Sequence, residues 1–127
     1  MPAIVSIVED ELDIKNLFYD VLSKTVYGVL LLSFSDSVLA VEHFRYNKGK
    51  YRLVIADWKM PNLNGLELLN AVKQLNPNVR SILISAYEVQ NEPRFQRYVE
   101  EGIIDRFIQK PTTLNNLCRE VNNQIQD

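Results

Sequence analysis

The chain predicts one α/β domain in which five short parallel strands alternate with five helices. Two patterns and a length predict it. Short apolar, strand-like runs recur at Ile4–Val8, Val29–Leu32, Leu53–Asp57, Ser81–Ile84 and near Arg106–Gln109. Between them, apolar residues repeat at three- and four-residue spacing, the signature of helices with one buried face. At 127 residues the chain is one domain, long enough for a proper core without staples. Strands alternating with helices, joined by right-handed crossovers, stack as a three-layer (βα)5 sandwich.

Each element has its own justification. The first strand is nearly continuous in β-branched residues, as expected for a strand covered on both faces. Leu12, Leu17, Phe18, Val21 and Leu22 line the first helix, and Gly28 breaks it before the second strand. Ser35-Asp36-Ser37 supplies caps for a helix carrying Val38, Val41 and Phe44. Asn47-Lys48-Gly49-Lys50 turns the chain into the third strand. After the turn Asn62-Leu63-Asn64-Gly65, a third helix carries Leu66, Leu69, Val72 and Leu75, and Asn76-Pro77-Asn78 stops it. The fourth helix has the thinnest signal: Pro93 as a first residue, Phe95, Tyr98 and Val99 as the stripe, Gly102 as the stop. The last helix carries Leu114, Leu117, Val121 and Ile125, capped by Thr112 or Thr113.

What the strands deliver at their C-terminal ends points to function. The first ends in Glu9-Asp10, the third in Asp57, the fourth in Ser85 and the fifth in Lys110-Pro111. In open α/β sheets ligand sites form at that edge, where the strand order reverses. A reversal between the first and third strands brings Glu9, Asp10 and Asp57 together.

Composition excludes other classes. Charged residues make up 24% and the net charge is −2, so no electrostatic case for direct nucleic-acid binding exists. No apolar run approaches the roughly 20 residues that span a bilayer. The start, Met-Pro-Ala-Ile-Val, lacks a signal peptide's charged and apolar regions. The single cysteine, Cys118, cannot form an internal disulfide and suits a reducing compartment. A cytoplasmic protein without a membrane segment is the expectation.

Taken singly, the strand-end residues have plain readings. Glu9-Asp10 reads as a solvated helix-start pair, Asp57 and Ser85 as caps, Lys110 as a surface lysine. Together they read differently. Three converging carboxylates repel one another unless a cation joins them, and oxygen ligands favour Mg²⁺. A carboxylate can also accept a phosphoryl group as an aspartyl phosphate. Phosphoryl transfer needs positioning, cations and donors around spread negative charge; a metal, the Lys110 ammonium and the Ser85 hydroxyl supply them. His43, the only histidine, falls within the second helical pattern and reads as a half-exposed helix residue rather than a phosphodonor.

Over essentially its whole length the chain resembles the receiver domain of two-component response regulators. The resemblance rests on Glu9-Asp10, Asp57 with Met60-Pro61 and Gly65, Ser85-Ala86, and Phe107 with Lys110-Pro111. It implies a flavodoxin-like, doubly wound parallel sheet of order 2-1-3-4-5. It further implies Mg²⁺ held by Glu9, Asp10, Asp57 and the Lys59 backbone carbonyl, phosphorylation of Asp57 by a histidine kinase or phosphotransfer protein, and later self-catalysed dephosphorylation. Asp57, Lys110 and Ser85 would be catalytic, Ser85 and Phe107 would form the switch, and Lys110-Pro111 would be cis.

The sequence departs from the family pattern at several points. Glu9 replaces the commoner aspartate, Phe107 lacks the hydroxyl of the more familiar tyrosine, and Thr112 stands where phenylalanine often follows. Lys59 and Tyr87 flank the pocket mouth and bear on water access. Tyr98, Ile103, Ile104 and Phe107 read either as core or as an apolar face. In the second reading, a homodimer forms around the fourth helix, fifth strand and fifth helix. The receiver would fill residues 1–127 with no output domain in this chain, passing its signal to a downstream protein or a fused domain.

Three other functions compete. A dehalogenase-type phosphatase would want an aspartate where Lys59 stands. A flavin-binding protein would offer hydroxyls and glycines to a phosphate, where Glu9-Asp10-Glu11 would repel one. The closest competitor is a receiver fold acting as a constitutive interaction module, with phosphorylation vestigial.

Overall fold

The computed structural model describes residues 2–126. Strands β1 (Ala3–Val8), β2 (Val29–Phe34), β3 (Tyr51–Asp57), β4 (Arg80–Ser85) and β5 (Arg106–Gln109) alternate with helices α1 (Leu12–Thr25), α2 (Ser37–Asn47), α3 (Gly65–Leu75), α4 (Pro93–Glu100) and α5 (Leu114–Ile125). The strands form one parallel sheet of order β2-β1-β3-β4-β5, as the resemblance implied. The order reverses between β1 and β3, which places the C-terminal ends of those two strands beside each other.

Strand periodicity divides the core in two. Ile4, Val8, Val54, Ala56 and Leu83 face one side and pack with α2, α3 and α4. Val5, Ile7, Leu53, Ile55, Ile82 and Ile84 face the other and meet Phe18 and Leu22 of α1 and Leu117 and Val121 of α5. Strands apolar on both sides are therefore required, and these runs supply them. Among the described residues no helix is long and apolar enough to cross a membrane.

Local chemistry sets the helix boundaries nearest the site. Asn64 and Glu67 form a reciprocal capping box at the start of α3, with N–H···O distances of 2.9 Å in both directions. Gly65 is required there by packing. A Cβ on it would lie 2.5 Å from the Asp57 carbonyl oxygen and 2.6 Å from Leu83 Cδ1. The close approach lets Gly65 N–H donate to the Trp58 carbonyl at 2.8 Å, holding α3 against the end of β3. Helix α4 is only eight residues long but is bounded as expected, by Pro93 at its first position and Gly102 just past its end. With φ of +77° at Gly102, Ile103 N–H reaches the Tyr98 carbonyl at 2.8 Å and Gly102 N–H the Val99 carbonyl at 3.2 Å. That is a Schellman termination.

Some expectations need correction. Leu12 and Leu17 do not pack under α1; they are 58% and 49% exposed, and Phe18 and Leu22 do the burying. Val38 is likewise exposed at the start of α2. The buried face of α1 runs through Ile14, Phe18 and Leu22 at four-residue spacing, and Leu12 and Leu17 fall to the side of it. Tyr98, Ile103 and Ile104 belong to the core rather than to an apolar face. The Schellman turn folds the chain after α4 back onto the sheet and takes them inward. Of the four residues that suggested an apolar dimer face, only Phe107 stays partly exposed.

Candidate functional site

Four of the residues expected at the strand ends meet in one pocket. Glu9 directly follows β1, and its N–H donates to the Phe34 carbonyl at 3.0 Å, extending the pairing with β2. This places its carboxylate inward, and the residue is only 1% exposed. Asp57 closes β3, fixed from behind by the Gly65 approach. Lys110 follows β5, where its N–H donates to the Ser85 carbonyl at 2.7 Å. Its ammonium then bridges two acids, 3.0 Å from Asp57 Oδ1 and 3.1 Å from Glu9 Oε1. The peptide bond between Lys110 and Pro111 is cis, as expected.

Glu9, Asp10 and Asp57 each offer a carboxylate oxygen, and the three oxygens lie within 4.8 Å of one another. Three acids against one ammonium leave the pocket short of positive charge. The ionisation equilibria register the shortage. Burial, then repulsion from Asp57, pushes the Glu9 carboxyl up to about 6, although Lys110 and the Glu11 N–H oppose the shift. Asp57 is also raised, chiefly by burial, with Asp10 and Glu11 adding to it and Lys110 opposing. For Lys110, burial is the largest single influence and acts to lower its pKa. The combined pull of Asp57 and Glu9 outweighs it and holds the ammonium protonated above its ordinary range. An all-oxygen donor set with surplus negative charge fits a small hard divalent cation. Glu9, Asp10 and Asp57 are the residues that could hold one.

Ser85 sits beside this cluster at the end of β4, but its hydroxyl is engaged elsewhere. It donates to the Tyr87 carbonyl at 3.0 Å and accepts from the Tyr87 N–H at 2.9 Å. Phe107 is half-buried and packs edge-to-face on Phe95, with ring centroids 5.2 Å apart. Lys59 and Tyr87, expected to flank the pocket mouth, are both exposed. The Lys59 ammonium lies over the Trp58 ring, 4.4 Å from its centroid, and 5.5 Å from that of Tyr87. Among the described residues it forms no ion pair with the acidic cluster. His43 lies away from the pocket, with Nδ1 2.8 Å from the Tyr51 hydroxyl.

Sequence reasoning missed two supports and one buried orphan donor. The buried Ser37 hydroxyl donates to the Pro61 carbonyl at 3.0 Å and accepts from Leu63 N–H at 3.2 Å, pinning the β3–α3 loop to α2. Gln109 reaches across to the Ser85 carbonyl at 2.9 Å. Among the described residues, the buried Trp58 indole N–H has no hydrogen-bond partner. The first two depend on contacts between distant segments, which no local pattern encodes. A groove of about 440 Å³ also opens beside Lys110, lined by Ile14, Leu17, Phe18, Ala86, Pro111 and Thr112.

Fold and site together define a doubly wound α/β domain with a lysine-bridged acidic pocket at the topological switch point. The model of the response regulator receiver domain matches residues 5–122, and the chain belongs to that family. The cyclic di-GMP phosphodiesterase response regulator RpfG of Xanthomonas campestris is 28% identical over 123 residues, covering 96% of this chain and 32% of RpfG. Sporulation initiation phosphotransferase F of Bacillus subtilis is 29% identical over 83 residues, 65% of this chain and 64% of that protein. A response regulator receiver domain protein from Clostridium thermocellum superposes with a TM-score of 0.85 at 26% identity, covering 97% of this chain and 94% of the other. The chain spans about a third or less of the length of the first curated relatives it matches.

Proposed function

We propose that this receiver domain takes a phosphoryl group from a phosphohistidine onto Asp57 in a Mg²⁺-dependent step. The observation that carries the reading is the Lys110 ammonium bridging Asp57 and Glu9 at 3.0 and 3.1 Å, inside a cluster of three acids. Glu9, Asp10, Asp57 and the Lys59 main-chain carbonyl would hold the metal. When bound, Mg²⁺ supplies charge neutralisation for the phosphoryl oxygens.

The chain's own residues do the rest. An Asp57 carboxylate oxygen attacks phosphorus while the phosphorus–nitrogen bond of the donor breaks, and the imidazole leaves with the electron pair. Lys110, kept charged by its acid partners, accompanies the oxygens that gain negative charge. Ser85 turns from Tyr87 to donate to the new group, and Phe107 repacks with it. Water later cleaves the acyl phosphate and restores the Asp57 carboxylate. Phosphorylation biases the switch only by stabilising one arrangement more than the other.

The phosphodonor, a histidine kinase or phosphotransfer protein, would dock along the groove beside Lys110, using exposed Leu17 with Ile14 and Pro111. Output would pass to a downstream protein or a fused domain, in a cytoplasmic setting suited to the free Cys118. The test is intact mass after incubation with Mg²⁺ and acetyl phosphate, beside Asp57→Asn. The expected result is one phosphate adduct that needs Mg²⁺ and is absent from the variant. No adduct on a folded protein, with a phosphohistidine donor also failing, overturns the reading in favour of a constitutive interaction module.

A further inference from the structure

The Trp58–Lys59–Tyr87 cluster joins the two loops that follow Asp57 and Ser85. Trp58 and Lys59 begin the β3–α3 loop; Tyr87 lies in the β4–α4 loop. The Trp58 and Tyr87 rings meet edge-on at 6.2 Å, and the Lys59 ammonium covers both. Tyr87 is also the residue whose backbone occupies the Ser85 hydroxyl, through bonds of 3.0 and 2.9 Å. Whatever fixes the Tyr87 ring therefore also fixes where Ser85 points.

We propose that Lys59, clasped between Trp58 and Tyr87, is a latch that holds Ser85 turned away from Asp57 and so sets the resting balance of the switch. This rests on the phosphoacceptor reading above and adds what opposes it. For Ser85 to donate toward Asp57, its hydroxyl must leave the Tyr87 carbonyl. Gln109 already shares that acceptor: its carboxamide nitrogen donates to the Tyr87 carbonyl at 3.4 Å and to the Ser85 carbonyl at 2.9 Å. The Tyr87 carbonyl thus keeps a partner when that bond is lost, whereas the aromatic clasp has no substitute. The clasp is the part of the resting arrangement that must be given up.

A cation over an exposed aromatic face holds about two- to five-fold in an equilibrium constant. Tyr87→Leu removes the ring but keeps the Lys59 charge, so the local potential acting on an anion is preserved. Tyr87→Phe keeps the ring and serves as the conservative control. Two measurements on the full chain test the latch. Amide hydrogen exchange at Tyr87, without metal or phosphoryl analogue, reads the Ser85–Tyr87 turn directly. It should quicken by about two- to five-fold in Tyr87→Leu and stay near the parent rate in Tyr87→Phe. Titration with Mg²⁺ and beryllofluoride, a phosphoryl analogue, should show Tyr87→Leu binding tighter by a similar factor.

Unchanged exchange and unchanged affinity in Tyr87→Leu overturn the latch, as does a Tyr87→Phe variant that loosens equally. Should beryllofluoride bind none of the proteins while exchange still quickens in Tyr87→Leu, the clasp is upheld and the phosphoacceptor reading fails instead.

Discussion

The two ends of the central sheet treat buried acids in opposite ways. At the N-terminal end, the part-buried Asp105 is paired with a cation and with a main-chain donor. One of its oxygens accepts from the Lys73 ammonium at 2.9 Å and the Ser81 N–H at 2.9 Å. The Ser81 hydroxyl completes the cluster, donating to the Ile103 carbonyl at 2.6 Å and accepting from the Asp105 N–H at 3.0 Å. One acid has one ammonium, and the Ser81 and Asp105 N–H groups both find acceptors. At the C-terminal end three acids share one ammonium, and two of them are pushed upward in pKa. The first arrangement is what folding alone selects. The second conflicts with folding and is the kind of local inconsistency that marks a site with another purpose.

The largest effect should come from breaking the satisfied end. Asp105→Ala leaves the buried Ser81 N–H and the Lys73 ammonium without their acceptor. Both ion-pair partners are mostly shielded, so a loss of about 2–4 kcal/mol is expected in urea unfolding. Mg²⁺ affinity should stay within about two-fold of the parent, because additivity holds for distant sites. A weakened metal site in a folded Asp105→Ala protein would show that the two ends are coupled and the contrast mistaken.

The frustrated end should reveal itself through pH, in metal-free protein. An acid whose folded pKa is raised binds its proton more tightly when folded. Its stabilising contribution is fully present below the unfolded value and is lost as pH rises through the folded one. For Glu9 the window runs from 4.5 to about 6. That shift corresponds to about 2 kcal/mol, lost between roughly pH 4.5 and 6.5. Asp57 acts in the same direction. Lys110, raised as well, contributes below its ordinary value of 10.5 and loses that contribution only at alkaline pH. Urea melts in a chelator should therefore show stability falling from pH 5 to pH 7, and added Mg²⁺ should restore more at pH 7 than at pH 5. A flat profile, or one rising toward neutrality, would mean that Glu9 is not held against its preference.

The sequence revealed these two ends unequally. The acidic edge was legible because strand periodicity and strand order together dictate which residues reach it. Glu9, Asp10, Asp57 and Lys110 each sit one or two steps past an apolar run. The Lys73–Asp105–Ser81 cluster was not, since its members lie in three segments and none follows a pattern that requires the others. For the same reason Ser85 could be placed beside Asp57 but not oriented: its hydroxyl chooses between a neighbour two residues on and a site across the loop. The exposure of Leu12 and Leu17 is a limit of a related kind. Helical spacing offers neighbouring faces, and only packing on the sheet shows that α1 buries the one carrying Ile14, Phe18 and Leu22.

The smallest predicted effect has an unusual sign. Most substitutions destabilise by about 1 kcal/mol, whereas Asp57→Asn should stabilise the metal-free protein at pH 7 by up to about that amount. The raised pKa of Asp57 means that the fold prefers it uncharged, with burial the chief cause. Asparagine grants that preference with nearly the same shape and also relieves the repulsion that raises Glu9. Lys110 would keep Glu9 as its partner at 3.1 Å, so no ammonium is left unpaired. The pH slope between 5 and 7 should flatten in the same variant, because Glu9 returns toward its ordinary range. Thermal melts of parent and variant in a chelator test both points together. An Asp57→Asn protein that is less stable than its parent would show Lys110 to be held chiefly by Asp57, making the acidic edge a structural ion pair much like the one at the other end.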